Sequence, residues 1–154
     1  ARCAALREAC NAFSTVSIMY MGTLGGNICN ASPAADTAPA LLVHDASVII
    51  ASAGSERRVP LAEFFAGPGK TVLKPGEIVT EVRLPAPAAG TGSAFRKISR
   101  VVADISQVCA AVSLVRDGAR ITGCRIALGS VAPPPVRRCA NSALQSRRPH
   151  YAEA

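Results

Sequence analysis

At 154 residues the chain holds one modest domain or two small packed ones, and 49% hydrophobic against 18% charged residues supports a core and excludes disorder. Aromatics are 4% with no Trp, so the core must be built from Ala, Val, Leu and Ile, and stacking platforms for single-stranded nucleic acid are nearly absent. The net charge of +7 is carried mainly by arginine in separated pairs (Arg57-Arg58, Arg137-Arg138, Arg147-Arg148), which fits a solvated surface or docking onto an acidic partner and lacks the clustering of a nucleic-acid footprint.

Cys3 to Phe13 reads as an amphipathic helix, with Cys3, Leu6, Cys10 and Phe13 on one stripe. Ser14 to Met21 is β-branched and apolar, which predicts an extended segment feeding the Gly-rich turn Gly22 to Asn27. A second helix is expected after Asn30-Ala31-Ser32-Pro33, with Asp36 as N-cap, Pro39 in the first turn and Ala40 to Val43 as its apolar face. Ser47 to Ser52 and Arg57 to Pro60 form a hairpin about Ala53-Gly54-Ser55. Leu61 to Phe65 is a short helix broken by Gly67-Pro68-Gly69. Lys70 to Leu73 and Glu77 to Leu84 are strands parted by the turn at Lys74-Pro75-Gly76.

Pro85 to Gly92 is the clearest linker, dividing residues 1–86 from 93–154 across 87–92. Ala94 to Arg100 is extended. Val108 to Val115 and Arg120 to Val131 flank an Asp117-Gly118 turn, a hairpin signal, and Pro133-Pro134-Pro135 is expected to end that sheet before a weakly helical tail, Arg138 to Arg148. The fold class is α+β: a mainly antiparallel sheet with helices, followed by a small α+β C-terminal domain. A Rossmann unit is excluded, because no G-x-G-x-x-G opens a helix within a βαβ unit.

The six cysteines (Cys3, Cys10, Cys29, Cys109, Cys124, Cys139) form no C-x-x-C pair, and His44 and His150 have no zinc-ligand spacing, so no metal site is expected. No secretory signal is visible and no apolar stretch spans a bilayer. Reduced thiols, a cytoplasmic location and no membrane span are therefore expected. The chain opens on Ala1 inside helix-forming residues, as expected of a processed or truncated polypeptide.

The chemistry lies in Gly22 to Asp36, GTLGGNICNASPAAD. Gly25 and Gly26 permit positive φ, so that successive backbone N–H groups converge on an anion such as a pyrophosphate. Thr23 and Asn27 bracket the turn with side-chain donors, and Asp36 offers a carboxylate to the hydroxyls of a polyol or ribose. A tight turn at the glycines and a plain helix cap at Asp36 are the alternatives. No nucleophile or acid–base pair is evident, so no catalytic residue is expected; Asp104 reads as a turn or cap carboxylate.

GTLGGNICNASPAADTAPALLVHDA resembles the second flavin-binding loop of the FAD subunits of molybdenum hydroxylases, the family of xanthine dehydrogenases and aerobic carbon monoxide dehydrogenase. The resemblance continues through ERRVPLAEFFAGPGKTVLKPGEIVTEVRLP and resumes at SAFRKISRVVADISQVCAAVSL and RIALGSVAPPPVR, covering nearly all of residues 1–138. It implies an FAD-binding electron-transfer oxidoreductase subunit, with molybdopterin on a molybdenum-binding large subunit and iron–sulfur clusters on a small subunit. Electrons would pass to an acceptor such as NAD or oxygen.

By that resemblance Thr23, Leu24, Gly25, Gly26 and Asn27 contact the FAD pyrophosphate, and Asp36 is the acidic flavin-binding position. Val79 is an apolar position against the flavin, or simply core. Either Arg96 or Lys97 is the basic contact, the spacing from Phe95 favouring Arg96, or both are solvated cations. Two features depart from the family. Its N-terminal subdomain with a first Gly-rich loop is not matched, which implies a flavin site short of half its phosphate donors. Ile18-Met19-Tyr20-Met21 stands where the family places polar or basic residues. A diverged fragment without flavin, and a basic protein-interaction module, are the alternative readings.

Overall fold

A computed structural model describes residues 3–101, 103–132 and 135–139. The order is α1 (Ala4–Asn11), α2 (Val16–Met21), α3 (Leu24–Cys29), α4 (Thr37–Val43), β1 (Ser47–Ser52), β2 (Ser55–Pro60), α5 (Leu61–Phe64), β3 (Phe65–Gly67), β4 (Lys70–Thr71), β5 (Ile78–Arg83), β6 (Thr91–Ile98), β7 (Val108–Asp117), β8 (Arg120–Gly129) and β9 (Val136–Cys139). The strands form antiparallel sheets β2-β1-β5, β3-β4 and β6-β7-β8-β9. This is the expected α+β class.

β1 is central in its sheet and its residues Ser47 to Ile50 are all buried, which matches a continuous apolar run covered on both faces. The hairpin to β2 turns through Ala53-Gly54, with Gly54 at φ +89. The β7–β8 hairpin turns through Gly118-Ala119, one residue later than the sequence suggested, with Gly118 at φ +57. β6 starts at Thr91, so the last two residues of the expected linker belong to a strand.

All seven residues of α4 are buried. The helix packs against α1, α3 and α5 and against β7, β8 and β9. One cluster therefore joins Ile28, Leu41, Val43, Ile50 and Phe64 to Phe95, Cys109, Ala111 and Ala127 of the four-stranded sheet. Gly129 allows α4 to approach β8: a Cβ there would lie 2.6 Å from Cys109 Sγ and 3.0 Å from Pro39 Cγ.

Four expectations are corrected. Residues 16–21 are helical, not extended. No strand edge is paired with this segment, so its backbone bonds internally, Met19 N–H to Thr15 O at 2.9 Å and Gly22 N–H to Ile18 O at 2.7 Å. The buried face of α1 is Ala5 and Ala9, whereas Cys10 is exposed and Leu6 only half-buried. Small residues are what let α1 sit against β6, where Ala5 N–H donates to Ser93 Oγ (3.1 Å) and Glu8 accepts from Phe95 N–H (2.8 Å), covering the edge of the sheet. The sheet does not end at the proline run, because β9 follows it and pairs with β8. Arg138 and Cys139 are accordingly strand residues; the rest of the expected helical tail lies outside the described residues.

His44 closes α4, is 7% exposed, and its Nε2 has no hydrogen-bond partner among the described residues. Burial, aided by the charge of Arg125 and opposed by Asp45, holds its pKa below the ordinary 6.5. The unfolded chain then takes up this proton first, so His44 favours folding above pH 6.5 and the benefit is lost as pH falls toward the lowered value. His44→Leu should flatten the change in urea midpoint between pH 7.5 and 5.5; an unchanged slope would locate the pH dependence elsewhere. Gly129→Ala should cost about 1–3 kcal/mol through overpacking. An unaltered Tm would mean that α4 and β8 are not in close contact.

Candidate functional site

The expected phosphate nest is the start of a helix. Thr23 is extended (φ −120, ψ 151) and its Oγ1 accepts from Gly26 N–H at 2.9 Å, capping α3; Asn27 N–H bonds to Thr23 O at 3.0 Å. Neither Gly25 nor Gly26 has positive φ, which corrects the predicted conformation. The glycines serve another purpose. A Cβ on Gly26 would stand 2.9 Å from Thr23 Oγ1, inside the cap, whereas one on Gly25 meets nothing within 4 Å. The Gly26 amide is thus committed within the chain. Leu24 and Gly25 precede the first intrahelical bond, and among the described residues neither amide is engaged.

Beside this cap lies a cavity of about 150 Å3, lined chiefly by Cys10, Phe13, Thr23, Leu24, Asn27 and Thr37. The side chain of Asn27 pairs with Thr37, whose hydroxyl donates to Asn27 Oδ1. That bond ties α3 to the first turn of α4, next to Asp36.

Asp36 precedes α4 with helical dihedrals (φ −62, ψ −33) and makes no side-chain cap. Its Oδ2 instead meets Lys97 Nζ at 2.7 Å, with side-chain exposures of 7% and 5%. Lys97 also donates to Ala12 O (3.2 Å), the carbonyl that follows α1, where a cation is favoured. Asp36 Oδ1 is buried without a hydrogen-bond partner among the described residues. Burial pushes the Asp36 carboxyl up, and the Lys97 hydrogen bond and charge only partly pull it back. Lys97 in turn lines a second, open recess of about 450 Å3 with Ala12, Ile98, Ser99, Arg100 and Val101.

The structure thus forms two pairs at adjacent positions, Asn27 with Thr37 and Asp36 with Lys97, beside the helix that Thr23 caps and that holds Leu24, Gly25 and Gly26. Thr23, Leu24, Asn27 and Thr37 line the cavity beside α3, and Asp36 and Lys97 do not. Arg96 does not join them. Successive strand residues face opposite sides, so with Lys97 turned inward Arg96 points out, 82% exposed, near Glu8 (3.4 Å) and bonded to Phe95 O (2.8 Å). Of the two cations, Lys97 is the one placed beside Asp36. Val79 lies on β5 opposite Ile50, packs on the core from a half-buried position and lines neither recess, although β5 contacts α3. Sequence reasoning missed Thr37, Phe13 and Ala12. Thr37 and Asn27 are ten residues apart with an irregular segment between, a pairing that no local period reveals. Among the described residues no cluster of His, Cys, Asp or Glu could hold a metal ion, and no helix is long and apolar enough to cross a membrane.

Two family models match: the FAD binding domain in molybdopterin dehydrogenase over residues 1–87, and the CO dehydrogenase flavoprotein C-terminal domain over residues 93–151. The chain is 33% identical over 138 residues to the carbon monoxide dehydrogenase medium chain of Hydrogenophaga pseudoflava, covering 90% of this chain and 48% of that one. It is 36% identical over 135 residues to the xanthine dehydrogenase FAD-binding subunit of Escherichia coli O157:H7, covering 86% and 46%. A solved structure of the H. pseudoflava carbon monoxide dehydrogenase, lacking the Mo-pyranopterin moiety of its cofactor, superposes with a TM-score of 0.83 at 33% identity, over 86% of this chain and 46% of that chain. The chain thus spans about half the length of the curated relatives it matches.

Lys97→Met should destabilise the chain by about 3–5 kcal/mol at pH 7, because it strands a buried carboxylate. With its pKa already raised by burial, Asp36 is uncharged in the fold at low pH and costs stability as pH rises through that raised value. The loss in Lys97→Met should therefore shrink on acidification, and Asp36→Asn added to it should recover most of the stability in chemical denaturation. A pH-independent loss, or no recovery, would contradict the pairing.

Proposed function

The chain belongs to the family of FAD-binding domains of molybdopterin dehydrogenases, and on that footing we propose that it binds FAD as an electron-transfer part of a molybdenum hydroxylase. The observation that carries this reading is the capped start of α3, whose Leu24 and Gly25 amides are unengaged among the described residues, with the buried Asp36–Lys97 pair and its unpartnered Asp36 Oδ1 next to Thr37, which bonds Asn27 of that helix.

The residues fit the cofactor. The amides of Leu24 and Gly25 at a capped helix start are donors for a pyrophosphate, with Asn27 and Thr23 beside them. Asp36 Oδ1 is an orphaned acceptor, suited to a hydroxyl of the ribityl or ribose chain. Lys97, held by Asp36 and Ala12 O, retains one N–H for an electron-rich ring edge. Val79 supplies apolar surface beside α3, and Arg96 stays a solvated cation. FAD, when bound, supplies the redox chemistry; this chain binds it, orients it and sets the charge around it.

In the assembly we infer, a molybdenum-binding large subunit oxidises the substrate and an iron–sulfur small subunit delivers electrons to this chain. NAD or oxygen is the acceptor. The wording of the relatives' names as dehydrogenase medium and FAD-binding subunits supports this placement.

Gly25→Asp separates folding from binding. The position has open space, and a carboxylate in the first turn of a helix is favourable to the fold. Tm should hold or rise while FAD binding, followed by quenching of flavin fluorescence, is abolished by charge repulsion at the phosphates. Wild-type FAD affinity in Gly25→Asp would remove the phosphate assignment.

A further inference from the structure

We propose that Ser130 is a positioning residue: it braces the segment that carries Asp36 against the β6–β7 pair that carries Lys97, and so holds Asp36 Oδ1 where a ligand hydroxyl meets it. The proposal rests on the flavin reading for the identity of that ligand, but its geometry does not depend on it. Ser130 stands just past the end of β8 at φ +63, a left-handed backbone that glycine takes freely and residues with a Cβ rarely adopt. A side chain kept at such a position needs a use. Here the hydroxyl donates to Ser106 O at 2.9 Å, while the Ser130 N–H donates to Pro33 O at 2.8 Å. Both partners are carbonyls, which only accept, so the direction of each bond is fixed.

The two carbonyls belong to opposite sides of the Asp36–Lys97 pair. Ser106 is buried, and the next residue, Gln107, donates its N–H to Ile98 O at 2.9 Å. Ile98 follows Lys97 on β6, and Lys97 itself pairs with Cys109 of β7. Ser106 O is therefore tied to the strands that carry the ammonium group. Pro33 precedes Asp36 in the irregular segment between α3 and α4, where Ala31 O accepts from Gly69 N–H and Ser32 O from Ala35 N–H. Beyond Asp36, Pro39 meets the end of β8 again, since a Cβ on Gly129 would lie 3.0 Å from its Cγ. Gly129 and Ser130 thus clasp the Asp36 segment on both sides, and the Ser130 hydroxyl extends the clasp to Ser106. With the 2.7 Å bond between Asp36 and Lys97, these contacts close a ring. Within it Asp36 Oδ2 is committed to Lys97, and Oδ1 is the buried oxygen without a partner among the described residues. Hydrogen bonds weaken steeply with misalignment, so the seat of this segment decides whether a ligand hydroxyl can use that oxygen.

The test uses the full chain with FAD as the probe. Ser130→Gly removes the hydroxyl and relieves the left-handed strain, so its Tm should stay near that of the wild type. FAD binding should nevertheless weaken about tenfold, the scale of one hydrogen bond. Ser130→Ala keeps the Cβ, and with it the strain, but lacks the same hydroxyl; it should lose the same affinity at a lower Tm. A carbon-13 NMR spectrum of the aspartate carboxyl groups, recorded without flavin and with Asp36 assigned through Asp36→Asn, should show the Asp36 signal displaced in both variants. Affinity that follows Tm across the two variants, or an Asp36 signal that does not move, would make Ser130 a structural residue only. Undiminished FAD affinity in Ser130→Gly would overturn the proposal. A wild-type chain that binds no FAD, with the Asp36 signal still displaced in both variants, would overturn the flavin reading and leave the positioning intact.

Discussion

A carboxylate and an ammonium group removed from water lose several kcal/mol of hydration each, and their mutual attraction offsets this only with good geometry and further hydrogen bonds. Asp36 and Lys97 meet at 2.7 Å, with the Ala12 carbonyl as an extra acceptor for Lys97, an attraction that offsets only part of the burial of Asp36. The pair fixes which side of β6 faces the interior, which expels Arg96 to solvent. It ties the end of α1 to the start of α4, and Glu8, one turn earlier in α1, then falls on the Phe95 amide at the open edge of the sheet. One unsatisfied oxygen, Asp36 Oδ1, is left in this otherwise matched junction. That oxygen and the unengaged amides of α3 are the polar groups that the proposed flavin site would use.

Much of the framework was legible in the amino-acid sequence because local chemistry decides it. The β1–β2 and β7–β8 hairpins follow from β-branched runs around Gly54 and Gly118, both at positive φ, and α4 follows from its apolar run, although Asp36 before it pairs with Lys97 and does not cap it. The failures have a common cause. The helix at Val16–Met21 contradicts its β-branched composition because a strand needs a neighbour and no strand is paired there. The face of α1 was assigned to its largest apolar residues, whereas the close approach to β6 selects Ala5 and Ala9.

The site shows the same division. Thr23, the glycines, Asn27 and Asp36 could be proposed together because they fall in one short segment. Their conformation was not, since a Thr cap with Gly at the third helical position offers amide donors as readily as a left-handed turn does. Which of Arg96 and Lys97 turns toward Asp36 depends on the strand's orientation, and the Asn27–Thr37 contact crosses an irregular loop. Residue type announces the chemistry of a group; only the packing decides which copy of it is used.

The burial of α4 on every side has a further meaning. A helix with no solvent face belongs wholly neither to the segment before residue 87 nor to the one after 93, since its side chains complete the hydrophobic interior of both. Severing the chain at Pro85–Gly92 would leave the β6–β9 sheet with a bare apolar surface and α4 with half its neighbours. The Pro- and Gly-rich seam in the covalent chain is thus not a seam in the thermodynamics. The two halves should melt together, in a single cooperative transition, and neither should persist as an autonomous folding unit.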